Sequence, residues 1–338
     1  MLKRFISILI FLFPAVLTAQ DIHFSQYWEN PLLLNPGFTG TDKALVRANT
    51  TYRNQWASIG NIYTTSALSG DMKLKPDGKS SFFGTGIFVI YDNAASGSLS
   101  KFSAGITLSS SVHFGKGKYL SLGIQGAWNQ NSIRFDNSTW DKQYEHEFNS
   151  ALSSGENLSV SGKNYIDAGA GIVFYKNGNG RDFNSKNDNS FQFGISAFHV
   201  NRPDIGIYGV DKLNIRYNAF AKMDIVLASK FSLQPVAYFA MQGPLKEINT
   251  GSLLRYSLSE QNKMGTGITQ SIAFGLFYRY GDALYPAFQF EWKNWLAGLS
   301  YDMNLSNLSS WTKGKGGIEL TLRYRFMPVE SSSSKRSF

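Results

Sequence analysis

The sequence contains no cysteine among its 338 residues. Disulfide bonds are therefore excluded, and the N-terminus of a processed chain cannot be a lipidated cysteine. The four histidines show no metal-binding spacing such as His-Glu-x-x-His, and neither a phosphate-loop lysine motif nor a calcium loop occurs. Glycine clusters such as Gly169-Ala170-Gly171 lack the helix that a nucleotide-binding loop needs, so we interpret them as relief of strand crowding. We expect no catalytic, cofactor-binding or metal-binding residues, and no enzyme activity.

Long apolar runs are almost absent as well. The longest is Phe5–Leu17, which follows Lys3 and Arg4 and is succeeded by small residues up to Ala19. This order predicts a signal peptide at residues 1–19. A membrane anchor would need about 20 apolar residues, and no later stretch provides them, so helical membrane spans are excluded.

The net charge of +9 raises the question of an anionic partner. Basic residues are spread along the chain, with only short clusters such as Lys116-Gly117-Lys118. No basic stripe and no nucleic-acid-binding module is present, so we expect no nucleic acid partner.

Apolar and polar residues alternate in many segments of similar length. In the last of them, the apolar residues Ile318, Leu320, Leu322, Tyr324 and Phe326 alternate with Glu319, Thr321, Arg323 and Arg325. Successive strand side chains point to opposite faces, so such a segment has one apolar and one polar face. A tilted strand of about ten residues crosses a bilayer. The pattern predicts an all-β fold, a transmembrane antiparallel β-barrel of the bacterial outer membrane in contact with lipid.

Aromatic residues favour the ends of these segments. The residues concerned are Tyr52, Trp56, Tyr91, Trp128, Tyr165, Tyr175, Tyr280, Trp292 and Trp295. Rings at both interfaces are typical of membrane barrels, whereas a soluble β-sandwich does not need them. The segments number about fourteen, with centres near residues 50, 68, 87, 107, 124, 170, 196, 220, 235, 252, 274, 288, 299 and 321. An even number returns both termini to the periplasm.

The strands divide the chain into regions. We expect the barrel at residues 42–327 and a polar tail at 328–338. The longest connections, Ser132–Lys163, Arg202–Leu213 and Asn304–Gly314, are expected to face outward. Periplasmic turns are expected to be short, with an exception at Lys176–Asn189.

Residues 20–41 do not have a strand pattern, because two Asn-Pro pairs and a glycine enforce turns. The segment is too apolar to be comfortably solvated. We predict that it lies at the periplasmic mouth or in the lumen, as a plug or partner segment. Its candidate residues are His23, Phe24, Ser25, Gln26, Tyr27, Asn30, Pro31, Asn35, Pro36, Gly37 and Phe38.

The polar faces of the strands supply charges for the lumen. The candidates are Arg47, Arg53, Arg216, Lys222, Asp224, Arg279, Glu291, Glu319, Arg323 and Arg325. Phe220 is an exception to the alternation around it, and His199 is expected to be a structural residue on a strand. Tyr324 and Phe326 in the last strand are candidates for a barrel-insertion signal.

Residues 21–41 closely resemble the N-terminal signature of the PorP/SprF family of type IX secretion system outer-membrane proteins, and Tyr52-Arg53-Asn54-Gln55-Trp56 continues the match. Further matching blocks are Tyr278-Arg279, Asp282-Ala283, Gly298, Ser300-Tyr301-Asp302, Asn304-Leu305-Ser306, Gly316-Gly317 and Tyr324-Arg325-Phe326. Trp28-Glu29 departs from the pattern, and the match is poor between residues 132 and 215.

The resemblance implies a fourteen-stranded barrel of the gliding and protein-secretion apparatus of Bacteroidota. Its expected partners are periplasmic secretion-system and gliding-motor proteins, or a secreted adhesin with a C-terminal secretion domain. A solute-conducting porin or uptake channel is the alternative, because fourteen strands lie between filled barrels and those with an aqueous channel.

Overall fold

The computed structural model describes residues 21–55, 63–74, 80–94, 98–134, 141–144, 146–149, 151–153, 161–177, 189–207, 209–258, 270–306 and 312–327. They form one antiparallel sheet in which each strand pairs with its sequence neighbours and the first closes on the last. The strands are β1 (Val46–Gln55), β2 (Tyr63–Leu74), β3 (Phe82–Ala94), β4 (Leu99–His113), β5 (Lys118–Ile133), β6 (Ser161–Lys176), β7 (Ser190–Phe198), β8 (Arg216–Ala228), β9 (Phe231–Gln242), β10 (Leu245–Ser257), β11 (Gln270–Arg279), β12 (Ala283–Trp292), β13 (Trp295–Asn304) and β14 (Lys315–Phe326). The predicted fourteen-stranded barrel is confirmed, and every predicted centre lies in a strand.

Residues 21–41 precede the barrel and form only short helical turns. These are two 3-10 turns, Tyr27–Glu29 and Pro36–Phe38, and one α-helical turn, Pro31–Leu34. Proline begins the last two, where its fixed φ suits a helix and its missing N–H would have no partner. Among the described residues, no helix is both long and apolar enough to cross a membrane.

The two faces of the barrel wall differ as the alternation predicts. Large apolar side chains point outward and are exposed, for example Ile87, Ile124 and Phe274 at 61–64%. Charged side chains point inward and are buried, for example Arg53 and Glu319 at 1%. The wall is therefore apolar on the outside and largely polar on the inside, as a barrel in a bilayer requires.

The predicted aromatic bands are confirmed only in part. Exposed positions are occupied by Tyr52, Tyr91, Trp128, Tyr280, Trp292 and Trp295. Tyr165 and Tyr175 were assigned wrongly, because they are buried in the lumen. In β6 the even-numbered Ile166 and Ile172 point outward, and the odd-numbered tyrosines therefore point inward. Trp56 lies outside the described residues, as do the predicted signal peptide and tail.

The barrel has an inner end, where β1 begins and β14 ends, and an opposite outer end. The connections after Ile133, Phe198 and Asn304 are at the outer end. The turn after His113 is short and lies at the inner end, together with the expected longer connection after Lys176. A second long inner connection, residues 258–269, was not anticipated.

Candidate functional site

Residues 21–41 lie inside the barrel and run along its height. Asp21 is at the outer end, where it contacts His199 just beyond β7. Asp42 is at the inner end, where it pairs with Arg325 of β14 at 3.0 Å. The segment is thus threaded through the lumen, and its first described residue lies at the end opposite to the start of β1.

Charges around Asp21 hold the outer end of the segment. Its carboxylate lies 3.0 Å from Lys101 Nζ and 2.5 Å from His199 Nε2, while His199 Nδ1 lies 2.9 Å from Asp167. Burial alone would raise the pKa of Asp21, but Lys101 and then His199 lower it well below its usual value. Burial alone would lower the pKa of His199, but Asp21 and Asp167 raise it to about 9. His199 therefore has a structural contact, but it lies beyond β7 and not on a strand, contrary to expectation.

A buried ion cluster fixes the next part of the segment. The backbone N–H groups of Ser25 and the following residue donate to the Glu319 carboxylate at 2.6 and 2.7 Å. Ser25 Oγ donates to Asp302 at 2.6 Å. Arg53 and Arg279 donate to the same Asp302 carboxylate at 2.8 and 2.5 Å. Two cations thus balance two anions, which limits the cost of burying charge.

An aromatic layer crosses the lumen beside this cluster. The ring pairs are Trp28 with Phe277 at 4.3 Å between centroids, Tyr27 with Tyr238 at 5.0 Å, and Phe38 with Phe220 at 5.5 Å. Such ring pairs stabilise the folded protein by more than the burial of their apolar surface alone would. Phe220 is an apolar residue on the otherwise polar lumen face of β8. It is apolar because it packs against the segment.

Glycines in the wall make room for the Asn35-Pro36 turn. Asn35 Nδ2 donates to two wall carbonyls at 3.1 and 2.8 Å, and its Oδ1 accepts from the Gly37 N–H at 2.7 Å. A Cβ at Gly123 would overlap the Pro36 carbonyl, and a Cβ at Gly171 would overlap the Asn35 amide. Glycine at these positions permits the close approach of the segment. Gly171 therefore accommodates the segment and does more than relieve strand crowding.

Two carboxylates carry the contacts at the inner end. Glu29 accepts from Arg323 at 2.6 Å. Asp42 lies 3.0 Å from Arg325 and 3.7 Å from Arg47. Burial alone would raise the pKa of Asp42, but Arg325 and Arg47 hold it far below its usual value.

The structure brings the predicted residues together in one place. All eleven predicted segment residues lie in the lumen, and all except His23 are buried. The ten predicted wall charges also face the lumen. Seven of them contact residues 21–42, whereas Lys222, Asp224 and Glu291 make no described hydrogen bond or ion pair to this stretch.

Sequence reasoning missed several wall residues that contact the segment or its neighbours, among them the charged residues Asp71, Lys101, Asp167 and Asp302. Each lies on the polar face of its strand, so a strict extension of the alternation would have found them. Tyr324 packs against Trp295 with 4.6 Å between centroids, and Phe326 is half exposed at the inner end. Their role in barrel insertion stays a prediction.

Among the described residues, a cavity lies beside the segment at each end of the lumen. The outer cavity, about 100 Å³, lies between the segment and strands that include β4 and β5. The inner cavity, about 220 Å³, lies against β7 to β14 and is lined mainly by polar side chains. Within the described part of the chain, no three His, Asp or Glu side chains are grouped to hold a metal ion.

Comparison with solved structures found several outer-membrane barrels. A deletion mutant of the monoaromatic hydrocarbon channel TodX is 9% identical, with a TM-score of 0.46 and coverage of 89% of this chain and 94% of that one. A FadL homologue of Pseudomonas aeruginosa is 10% identical, with a TM-score of 0.45 and coverage of 86% and 93%. The β domain of the Bordetella autotransporter BrkA is 14% identical, with a TM-score of 0.38 and coverage of 84% and 100%. No functional conclusion rests on similarities this distant.

Comparison with curated proteins gave no match. Comparison with protein families matched residues 16–324 to the type IX secretion system membrane protein PorP/SprF. This match includes the threaded segment and almost all of the barrel. The chain therefore belongs to the PorP/SprF family of type IX secretion system membrane proteins.

Proposed function

We propose that this outer-membrane barrel is a closed anchor or docking platform of the type IX secretion apparatus. Its partners are periplasmic secretion-system or gliding-motor proteins, received at the inner end, or a secreted adhesin with a C-terminal secretion domain, received at the outer loops. Residues 1–19 act as the signal peptide, and Tyr324 and Phe326 contribute to barrel insertion. The family and the fold are those of a secretion or structural membrane protein and not of a known enzyme class.

The threaded segment is the observation that carries this proposal. Residues 21–41 occupy the lumen from one end to the other, with charged contacts at both ends and stacked rings between them. A solute channel needs a continuous aqueous path, whereas the linings of the two cavities share no residue. The occupied lumen therefore favours a platform over a porin or uptake channel.

Single-channel recording in planar bilayers tests the closed lumen. We expect the full-length protein to show little or no conductance, and a variant lacking residues 21–41 to show large steps. A variant lacking the tail at 328–338 is the control and should behave like the full-length protein. The gel mobility shift on heating, which marks a folded barrel, is checked for each variant. Equal conductance with and without residues 21–41 would contradict the plug.

Affinity purification from outer membranes of the native host, in mild detergent, tests the docking role. Mass spectrometry should then identify periplasmic motor subunits or a large surface adhesin, and which of the two is found separates the two family roles. Recovery of the barrel alone, in a preparation where other envelope complexes survive, would favour the channel.

A further inference from the structure

The inner cavity contains one lysine for which the described residues provide no bonded partner. Lys222 of β8 is mostly buried and lines this cavity. Glu29 and Asp224 attract its ammonium group and Arg323 and Arg325 repel it, but among the described residues none forms a hydrogen bond or ion pair with it. An ammonium group removed from water is costly unless an acceptor compensates for the lost hydration. Lys222 is therefore available for a negatively charged group that enters from the inner end.

The carboxylates around the cavity are already engaged with other groups. Glu29 bonds to Arg323, Asp42 to Arg325, Asp224 to Gln234, and Glu291 to Arg255. The five cations of the lining are Lys43, Lys222, Arg255, Arg323 and Arg325. They outnumber these four carboxylates by one, so the lining carries a formal positive surplus.

A second donor stands beside Lys222. Gln192 of β7 is its direct partner in the strand register and lines the same cavity. Directly opposed residues have Cβ atoms about 5 Å apart, so their side chains are neighbours. Within the described residues, the Gln192 side chain has no hydrogen bond either. An ammonium and an amide placed side by side match the two oxygens of a carboxylate.

We propose that this inner cavity binds a carboxylate of an acidic peptide segment of a periplasmic protein, with Lys222 as the charged contact and Gln192 as the neutral one. The inference rests on the proposed docking function and names the chemistry of the partner.

A binding titration on the full-length protein in detergent tests the site, with fluorescently labelled hexaglutamate as the probe. Loss of a hydrogen bond to a charged group raises a dissociation constant by about tenfold or more. We therefore expect Lys222→Gln to raise the dissociation constant for the probe by about tenfold. Lys222→Arg retains the charge and should bind within about threefold of the original protein. Lys118→Gln is the matched control, because it removes an exposed lysine at the same end outside the cavity, and it should leave binding unchanged.

The outcomes separate this inference from the proposed function. The carboxylate site would be contradicted if the original protein and Lys222→Gln bound hexaglutamate with equal affinity. It would also be contradicted if the protein bound soluble peptidoglycan fragments but not hexaglutamate. The Lys222→Gln variant is also used for affinity purification in the native host. If periplasmic partners are still recovered with this variant, the docking function stands and the cavity is not their site.

Discussion

At the residue scale, Asp302 and Asp282 offer a comparison of burial around one arginine. Asp302 is 5% exposed and accepts from Arg53, Arg279 and Ser25. Asp282 is 44% exposed and lies 3.2 Å from Arg279. The two carboxylates share Arg279 as a partner but differ in their access to water. Access to water determines how much an ion pair contributes to the free energy of unfolding.

Asp302→Asn should destabilise the protein far more than Asp282→Asn. It removes the anion between two buried guanidinium groups, and loss of one partner of a buried pair lowers the free energy of unfolding by about 3–5 kcal/mol. The exposed pair should contribute less than about 1 kcal/mol. Urea unfolding in micelles, followed by tryptophan fluorescence, measures both. Similar unfolding midpoints for the two variants would show that Asp302 does not organise the cluster.

His199 gives the outer end of the segment a dependence on pH. Its pKa of about 9 in the folded protein lies above the ordinary 6.5. Its contribution to stability is therefore complete below pH 6.5 and is lost as the pH rises through about 9. An Ile22→Cys variant has a single cysteine, to which a fluorophore can be attached. The fluorescence anisotropy should fall over this pH range as the contact between Asp21 and His199 weakens. Adding His199→Gln should lower the anisotropy already at pH 7, while a flat profile in the protein with His199 would contradict the contact.

At the element scale, β5 shows how a strand accommodates the segment. Gly123 faces the lumen, where a Cβ would overlap the Pro36 carbonyl, whereas a Cβ at Gly126 would meet nothing within 4 Å. Both glycines lie on the same strand and differ mainly in what they face. The requirement for glycine at Gly123 thus comes from the segment and not from strand pairing.

Gly123→Ala should displace the Asn35-Pro36 turn, while Gly126→Ala should not. Overfilling a packed site costs about 1–3 kcal/mol, so the urea midpoint should fall for the first variant only. The displaced turn should also be cleaved faster by a protease added to folded protein in micelles. If both variants match the original protein in midpoint and cleavage rate, the segment is not packed against β5.

At the scale of the whole molecule, the direction of the segment determines which end of the barrel the processed N-terminus occupies. Both termini of the barrel itself, Val46 and Phe326, pair at the inner end. The segment carries the chain back through the lumen, so Asp21 lies at the outer end. An even number of strands puts both barrel termini at one end. We expect this end to face the periplasm, as in other bacterial outer-membrane barrels, and Asp21 to lie near the cell surface.

An epitope inserted between Gln20 and Asp21 should therefore bind antibody on intact cells, provided that the signal peptide is removed before it. An epitope placed after Phe338 is the control and should be labelled only after the outer membrane is permeabilised. Flow cytometry measures both. Labelling of the N-terminal epitope only after permeabilisation would mean that the segment does not pass through the lumen.

Sequence by itself determined the barrel. The alternation in β1 and β14 fixed which residues face lipid and which face the lumen, because the orientation of a strand side chain depends only on local backbone geometry. This is why all fourteen strands and the ten predicted lumen charges could be derived before the structure was known. The local pattern misled where aromatic identity was given more weight than strand phase, as at Tyr165 and Tyr175, and where a strand was extended one residue too far, to His199.

Only the tertiary structure decided the course of residues 21–41 and the partners of the inward charges. Glu319 accepts from Ser25, 294 positions earlier in the chain, and Phe220 packs against Phe38 across the lumen. Such contacts depend on closure of the barrel, which brings distant strands around one axis, and no local period encodes which residues then meet. The strand phase puts Lys222 and Gln192 on the lumen face, and the pairing of β7 with β8 puts them side by side. That no described residue bonds to either side chain depends on how the segment fills the closed barrel.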